Sequence, residues 1–207
     1  MHISEGVLSA PVLITGAVFA AAGIAIGLRR LKEDRLMTAG LVGAAFFVAS
    51  LVHVPVGFSS AHLILNGLVG VLLGWSAFPV IFIGLLLQAV LLQFGGLTVL
   101  GVNTFTMSTG AVAAGCLFHA LYKAGGSPGR LTAAAFLAGA CGILVSSLLT
   151  ALALVFTEEG FWAAAAALLV AHLPIMVAEG IITVLVCRYL QKSAPELLSL
   201  NTRRTIA

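Results

Sequence analysis

Residues 131–156 read LTAAAFLAGACGILVSSLLTALALVF, twenty-six positions without a single Lys, Arg, Asp or Glu. A helix rising about 1.5 Å per residue crosses a hydrocarbon core about 30 Å thick in about 20 residues. This stretch therefore predicts a membrane-spanning helix, and it decides the class of the chain because similar runs lie on both sides of it. They are read at 10–29, 38–56, 63–76, 78–94, 103–123, 131–156 and 162–190, about seven in all. The third is short, and Gly74, Ser76 and Pro79 predict a tight turn before the fourth. Pro174 predicts a bend in the last, where a ring replaces an amide donor. The expected fold is all-α, a polytopic membrane helix bundle of about seven transmembrane helices forming one integral-membrane domain over residues 1–207. No repeat, long linker or separate soluble domain is legible.

Composition agrees. The 207 residues are 61% apolar and 8% charged, with a mean hydropathy of +1.17, against roughly 45–50% apolar and about 25% charged in a soluble domain. One globular core could not hide so much apolar surface, so lipid is the expected solvent. The formal charge is +3, but the basic residues sit singly or in small groups between apolar runs, without the stacking aromatics that nucleic acid requires. Cys116, Cys141 and Cys187 are odd in number and lie in apolar stretches, which argues against a disulfide framework. The chain has no G-x-x-x-x-G-K-[ST] phosphate loop, no H-E-x-x-H pair and no G-x-S-x-G elbow, and it shows no pair of broken helices in inverted halves. It is expected not to be an enzyme and not to hydrolyse ATP by itself.

All ten basic residues assign one orientation. Arg29, Arg30, Lys32 and Arg35 follow the first run, Lys123 and Arg130 the fifth, and Arg188, Lys192, Arg203 and Arg204 the last. Placing these in the cytoplasm leaves 1–9, 57–62, 95–102 and 157–161 outside, and none of those segments carries a Lys or Arg. The amino terminus is then external and the carboxyl terminus cytoplasmic. Met1–Pro11 has no basic n-region, and the first run ends in Arg29 and Arg30, so a cleaved leader is not expected. Ala17, Ala21 and Ala25, Gly23 with Gly27, and Gly70 with Gly74 recur every fourth residue. Such faces let helix backbones approach closely, either within the bundle or against a second membrane protein.

In so apolar a chain, the polar residues on the external side carry the information. They are His2, Ser4 and Glu5, then His53, Ser59, Ser60, His62 and Asn66, then Thr98 and Asn103. They supply imidazole, hydroxyl, carboxylate and amide groups with no cation to oppose a metal, which reads as a divalent-ion site. With Met1 retained, its α-amine, the deprotonated His2 amide and His2 Nδ1 close two fused chelate rings and leave one in-plane position for a further imidazole. Four nitrogens in a plane suit Ni(II) or Cu(II) rather than Zn(II). His62, after the Gly57–Ser60 turn region, is better placed for that position than His53, which is followed by Val54 and Pro55 and reads as supporting or structural. His119, near the cytoplasmic end of the fifth run, reads as an interfacial or helix-packing residue rather than a catalytic one. His172 and Glu179, seven apart, share a helix face, as a packed polar pair or as a proton relay.

These residues resemble a known family. Met1, His2, Ile3, Ser4, Glu5 and Gly6 are similar to the M-H-I-x-[DE]-G start of the CbiM and NikM proteins, the cobalt and nickel capture subunits of energy-coupling factor transporters. The resemblance continues through Ser59, Ser60, Ala61 and His62 and through Gln88 and Ala89. It is strongest over residues 95–105, GGLTVLGVNTF, and it returns at His172, Pro174, Glu179 and Gly180. It implies Met1, His2 and His62 as metal ligands. Glu5, Asn103, Thr98 and Ser60 would support them without touching the metal. Phe94 departs from the pattern, standing where relatives often carry His.

The resemblance further implies a multi-pass protein of a bacterial or archaeal cytoplasmic membrane. It would take up Co(II) or Ni(II) as cargo, with no cofactor, and serve processes such as cobalamin biosynthesis. Its partners would be a transmembrane coupling subunit, two cytoplasmic ATPases and, optionally, a small accessory membrane subunit, surrounded by lipid and with no nucleic acid. Delivery would involve reorientation of the bundle, with the Ala17, Ala21 and Ala25 face as a coupling surface. Two other classes compete: an intramembrane metal-dependent hydrolase using His172 and Glu179, and a metal sensor or chaperone that binds without transport.

Overall fold

The computed structural model describes residues 3–51, 53–56, 59–123, 125–158 and 161–199. Helix α1 spans Ala10–Arg30 and is followed by a 3-10 turn at Glu33–Arg35 and by α2, Leu36–Ala49. A hairpin of β1 (His53–Val56) and β2 (Ser59–His62) leads into α3, Asn66–Leu73. A 3-10 turn at Gly74–Ser76 joins it to α4, Ala77–Leu92. Then come α5 (Leu100–Leu121), α6 (Pro128–Val155), α7 (Trp162–Ser193) and a final 3-10 turn at Pro195–Leu198.

The starts of these helices follow local chemistry. Ser127 caps α6, its Oγ accepting the Arg130 N–H at 3.4 Å, with Pro128 in the first turn where no donor is needed. Gly74, at φ 54° and ψ −125°, cannot continue a helix and so ends α3, in line with the expected turn. Helix α7 runs through Pro174 without a break in its helical assignment.

The expected second run, 38–56, is corrected. Its helix ends at Ala49, and residues 53–56 form a strand paired with 59–62. The β-branched Val54 and Val56 around Pro55 favour extended backbone, and proline would remove an amide donor inside a helix. At 14 residues α2 is about 21 Å long, short of a full crossing. Five described segments are long and apolar enough to cross a membrane: Ala10–Arg30, Asn66–Leu92, Leu100–Leu121, Pro128–Val155 and Trp162–Ser193.

Polarity is arranged inside out. Ile14, Val18, Phe19, Val170, Leu173, Val177 and Leu185 are exposed on the outer helices, whereas Asn66, Gln88, Asn103, Ser146, Thr150, His172 and Glu179 are buried. That arrangement fits lipid as solvent, where a polar side chain is least costly inside the bundle. The protein is a multi-pass membrane helix bundle. At its centre lies α3, all eight of its residues buried, packed mainly on α5 and α6. Close packing rests on glycine: a side chain at Gly70 would overlap the Ala111 carbonyl, and one at Gly139 would meet the Glu179 carbonyl at 2.6 Å. On α1 the inward stripe is Gly16, Ala20, Gly23 and Gly27, while Ala17, Ala21 and Ala25 are exposed.

Hydrogen bonds gather the loops into two groups. At one end Glu5 N–H reaches the Gly95 carbonyl and Ser9 N–H the Thr157 hydroxyl. Elsewhere Arg35 donates to the Glu196 and Ser199 carbonyls, Arg130 to the Leu121 carbonyl, and Gln191 to the Tyr122 hydroxyl. Segments read from sequence as sharing one side are thus tied to each other. Cys116, Cys141 and Cys187 are all free.

Candidate functional site

The amino-terminal segment is drawn into the bundle by its backbone. Ile3 is fully buried, and its peptide is gripped on both sides by Asn103, 2% exposed, in the first turn of α5. The Ile3 N–H donates to Asn103 Oδ1 at 3.0 Å, and Asn103 Nδ2 donates to the Ile3 carbonyl at 3.1 Å. An amide side chain has one donor face and one acceptor face, so it satisfies a peptide as a neighbouring strand would. The position of Ile3 is therefore set from across the fold.

Glu5 adds a second tether. Its N–H donates to the Gly95 carbonyl at 3.1 Å, and its Oε1 accepts the Thr98 N–H at 3.0 Å. That amide bond is the main reason the Glu5 carboxyl is held below its ordinary value of 4.5, partial desolvation opposing it, with smaller help from the Leu97 amide and the Thr98 hydroxyl. Gly95 and Gly96 have φ of 77° and 139°, backbone that glycine adopts readily. A side chain at Gly96 would occupy the space of the Glu5 side chain.

Glu5, Thr98 and Asn103, expected to act together, are brought together. Met1 and His2 lie outside the described residues. For Ser60 and His62 the backbone is described: both lie on β2, with His62 directly opposite His53 and Ser60 opposite Pro55. His53 and His62 thus occupy one register position of the hairpin. Among the described residues no group of three or more His, Cys, Asp or Glu side chains is close enough to hold a metal. The expected ligand set extends beyond those residues.

The polar pair of α7 does not act as a pair. His172 Nδ1 lies 2.7 Å from the Leu168 carbonyl, one turn back. Glu179 instead leaves its own helix: Oε1 accepts the Ile64 N–H at 2.6 Å and the Leu65 N–H at 2.5 Å, just beyond β2. Each residue bonds backbone through one atom, His172 Nδ1 and Glu179 Oε1, while His172 Nε2 and Glu179 Oε2 are buried without a partner among the described residues. Of the two roles open to His119, the structure shows the helix-packing one, its Nε2 lying 3.1 Å from the Val71 carbonyl of α3.

Two features were not legible in sequence. The requirement for Gly96 follows from Glu5 lying across it, although the adjacent glycines in the 95–105 motif were the available signal. The partner of Glu179 has no local signal, because it is main chain 114 and 115 residues away.

The family described as cobalt uptake substrate-specific transmembrane region, CbiM, matches residues 2–197. A Haemophilus influenzae protein named for metal transport is 44% identical over 96% of this chain and 97% of its own. The cobalt transport protein CbiM of Kyrpidia tusciae is 35% identical over 96% and 86%. The fused nickel transport protein NikMN of Rhodobacter capsulatus is 33% identical over 96% and 64%. A crystal structure of a transition metal transporter superposes with a TM-score of 0.70 at 25% identity, covering 93% of each chain. A truncated transition metal transporter superposes at 0.73 and 23% identity, covering 93% of this chain and 99% of that one.

Proposed function

Because the chain belongs to the CbiM family of cobalt-uptake transmembrane proteins, we propose that it is the capture component of an energy-coupled transporter, taking Co(II) or Ni(II) from the outer side. The ligands are the Met1 α-amine, the His2 amide and Nδ1, and the His62 imidazole, four nitrogens that favour a planar ion. Capture releases protons, since amine, amide and imidazole all bind the metal deprotonated. Delivery inward requires a coupling membrane subunit and two cytoplasmic ATPases, optionally with a small accessory membrane subunit. The basic segments lie in the cytoplasm and the amino terminus outside.

The observation that carries this reading is the reciprocal pair of hydrogen bonds between Asn103 and Ile3. A chelate built on the first two residues needs the third held still, because a flexible segment loses entropy on closing around an ion. The Glu5 bonds to Gly95 and Thr98 serve the same need. No observation favours the hydrolase reading: no hydrogen bond joins His172 to Glu179, and among the described residues no group of three or more His, Cys, Asp or Glu side chains could hold a metal.

The test is titration of the purified chain with Ni(II) and Co(II). Three forms are compared: the native terminus, one carrying an extra residue before Met1, and His62→Ala. Loss of high-affinity binding in both variants is expected. An extended chain that binds like the native one overturns the ligand set. Uptake of labelled metal by vesicles holding the coupling subunits and ATP, and by none lacking them, tests the coupling.

A further inference from the structure

We propose that Glu179 is a positioning residue of the capture site: from α7 it holds the main chain just beyond His62 and so fixes the strand that carries this ligand. The inference rests on His62 being a ligand, and it adds a residue outside the expected set of ligands and supporting groups.

The geometry supports it in three ways. Glu179 is fully buried, yet its Oε1 spends both contacts on one short segment, Ile64 N–H at 2.6 Å and Leu65 N–H at 2.5 Å. A buried carboxyl group in a lipid-embedded bundle is costly, so its retention needs a use. The segment it holds also needs holding. Leu65 is the N-cap of α3 with φ 58° and ψ 21°, a left-handed conformation unfavourable for a leucine, and its side chain offers no cap. Glu179 supplies from 114 residues away the acceptor for the N-cap amide that a Glu at the third helical position gives in a capping box.

The anchor is itself rigid. The Glu179 carbonyl accepts the Thr183 hydroxyl at 2.7 Å, and its backbone lies against Gly139 of α6, where a side chain would collide with it. On the other side of the turn, Asn66 Nδ2 donates to Ser146 Oγ of α6 at 2.8 Å. The turn between β2 and α3 is therefore clamped by α6 and α7 together. β2 ends at His62, two residues before the first clamped amide, and α7 packs against both strands. Release of the clamp frees the approach to His62 while leaving every ligand in place.

The test compares Ni(II) binding by the full chain in detergent for the native protein, Glu179→Gln, Glu179→Leu and His62→Ala, well below their unfolding temperatures. Gln keeps an Oε1 acceptor for the two amides, so Glu179→Gln is expected within about threefold of native affinity, whereas Glu179→Leu is expected to bind at least about tenfold more weakly. The visible spectrum of the nickel complex should be native in Glu179→Gln and altered in Glu179→Leu. A merely structural role predicts a lower unfolding temperature with unchanged affinity and spectrum, and that result overturns the proposal. Equal weakening in Gln and Leu also overturns it, because it would not be the acceptor that matters. If Glu179→Leu does not fold, Glu179→Asp replaces it: a carboxylate withdrawn by one methylene should bind as weakly, and native binding refutes the role. Native-like binding by His62→Ala would sink the ligand set itself. Loss in His62→Ala with native binding in Glu179→Leu would sink only the positioning role.

Discussion

Asn103 and Ile3 are 100 residues apart and joined by two reciprocal hydrogen bonds, N–H to Oδ1 at 3.0 Å and Nδ2–H to carbonyl at 3.1 Å. Both residues are buried, so water cannot replace either bond. Replacing Asn103 by Leu keeps the volume and leaves the Ile3 N–H and carbonyl without partners, at a cost of about 1–3 kcal/mol each. Asn103→Leu is expected to weaken Ni(II) binding about 10- to 100-fold, as removal of ligand-supporting groups does elsewhere. Calorimetric titration gives the answer, and native affinity would show that the tether is irrelevant to capture.

Gly96 lies beneath Glu5, at φ 139°. Gly96→Ala strains the backbone and displaces the Glu5 side chain, so it is expected to weaken metal binding as much as Glu5→Ala does. The two changes should not add when combined, because they disable the same contact. A double-mutant cycle on Ni(II) affinity measures this, and full additivity would separate the two residues.

The Glu5 tether has a defined pH dependence. Its carboxyl titrates below the ordinary 4.5 in the folded protein because the Thr98 amide donates to the charged form. The folded-state value is the lower one, so the tether is fully present above pH 4.5 and is lost as pH falls through the folded-state value. Hydrogen exchange at the Thr98 amide should therefore lose protection on acidification below that point, after correction for intrinsic rates. In Glu5→Gln the protection should be the same on both sides of the transition.

Metal binding should fall much more steeply, and at higher pH. The α-amine and imidazole have reference values of about 7.7–8.0 and about 6.5, and both must lose protons to bind. Ni(II) affinity is expected to drop at least about a hundredfold between about pH 8 and about pH 6. A chain extended by one residue before Met1 should bind weakly and without that steepness. A shallow profile in the native chain would exclude amine ligation.

The crossing of α3 and α5 is backbone on backbone at Gly70 and Gly115. Gly70→Ala is expected to lower stability by about 1–3 kcal/mol, as overpacking does, and to reduce the unfolding temperature in detergent. Gly40 on α2 has no atom within 4 Å of where a side chain would start. Gly40→Ala should leave the unfolding temperature unchanged or raise it.

The amino-acid order alone determined the solvent, the class and most helices of this protein. These depend on properties each segment carries by itself: runs of apolar residues long enough to cross lipid, basic residues confined to alternate loops, and the turn at Gly74. The motifs at 1–6 and 95–105 named the family and two residues, Glu5 and Asn103, that prove to hold the amino-terminal segment. Only the tertiary structure decided what those residues hold, and it ended α2 at Ala49 in favour of a hairpin. It also turned Glu179 away from His172 and onto Ile64 and Leu65. A side chain's identity states what bonds it can make, but its partner is set by which helices pack together. Contacts spanning 93, 100 and 115 residues exist only once the bundle has closed.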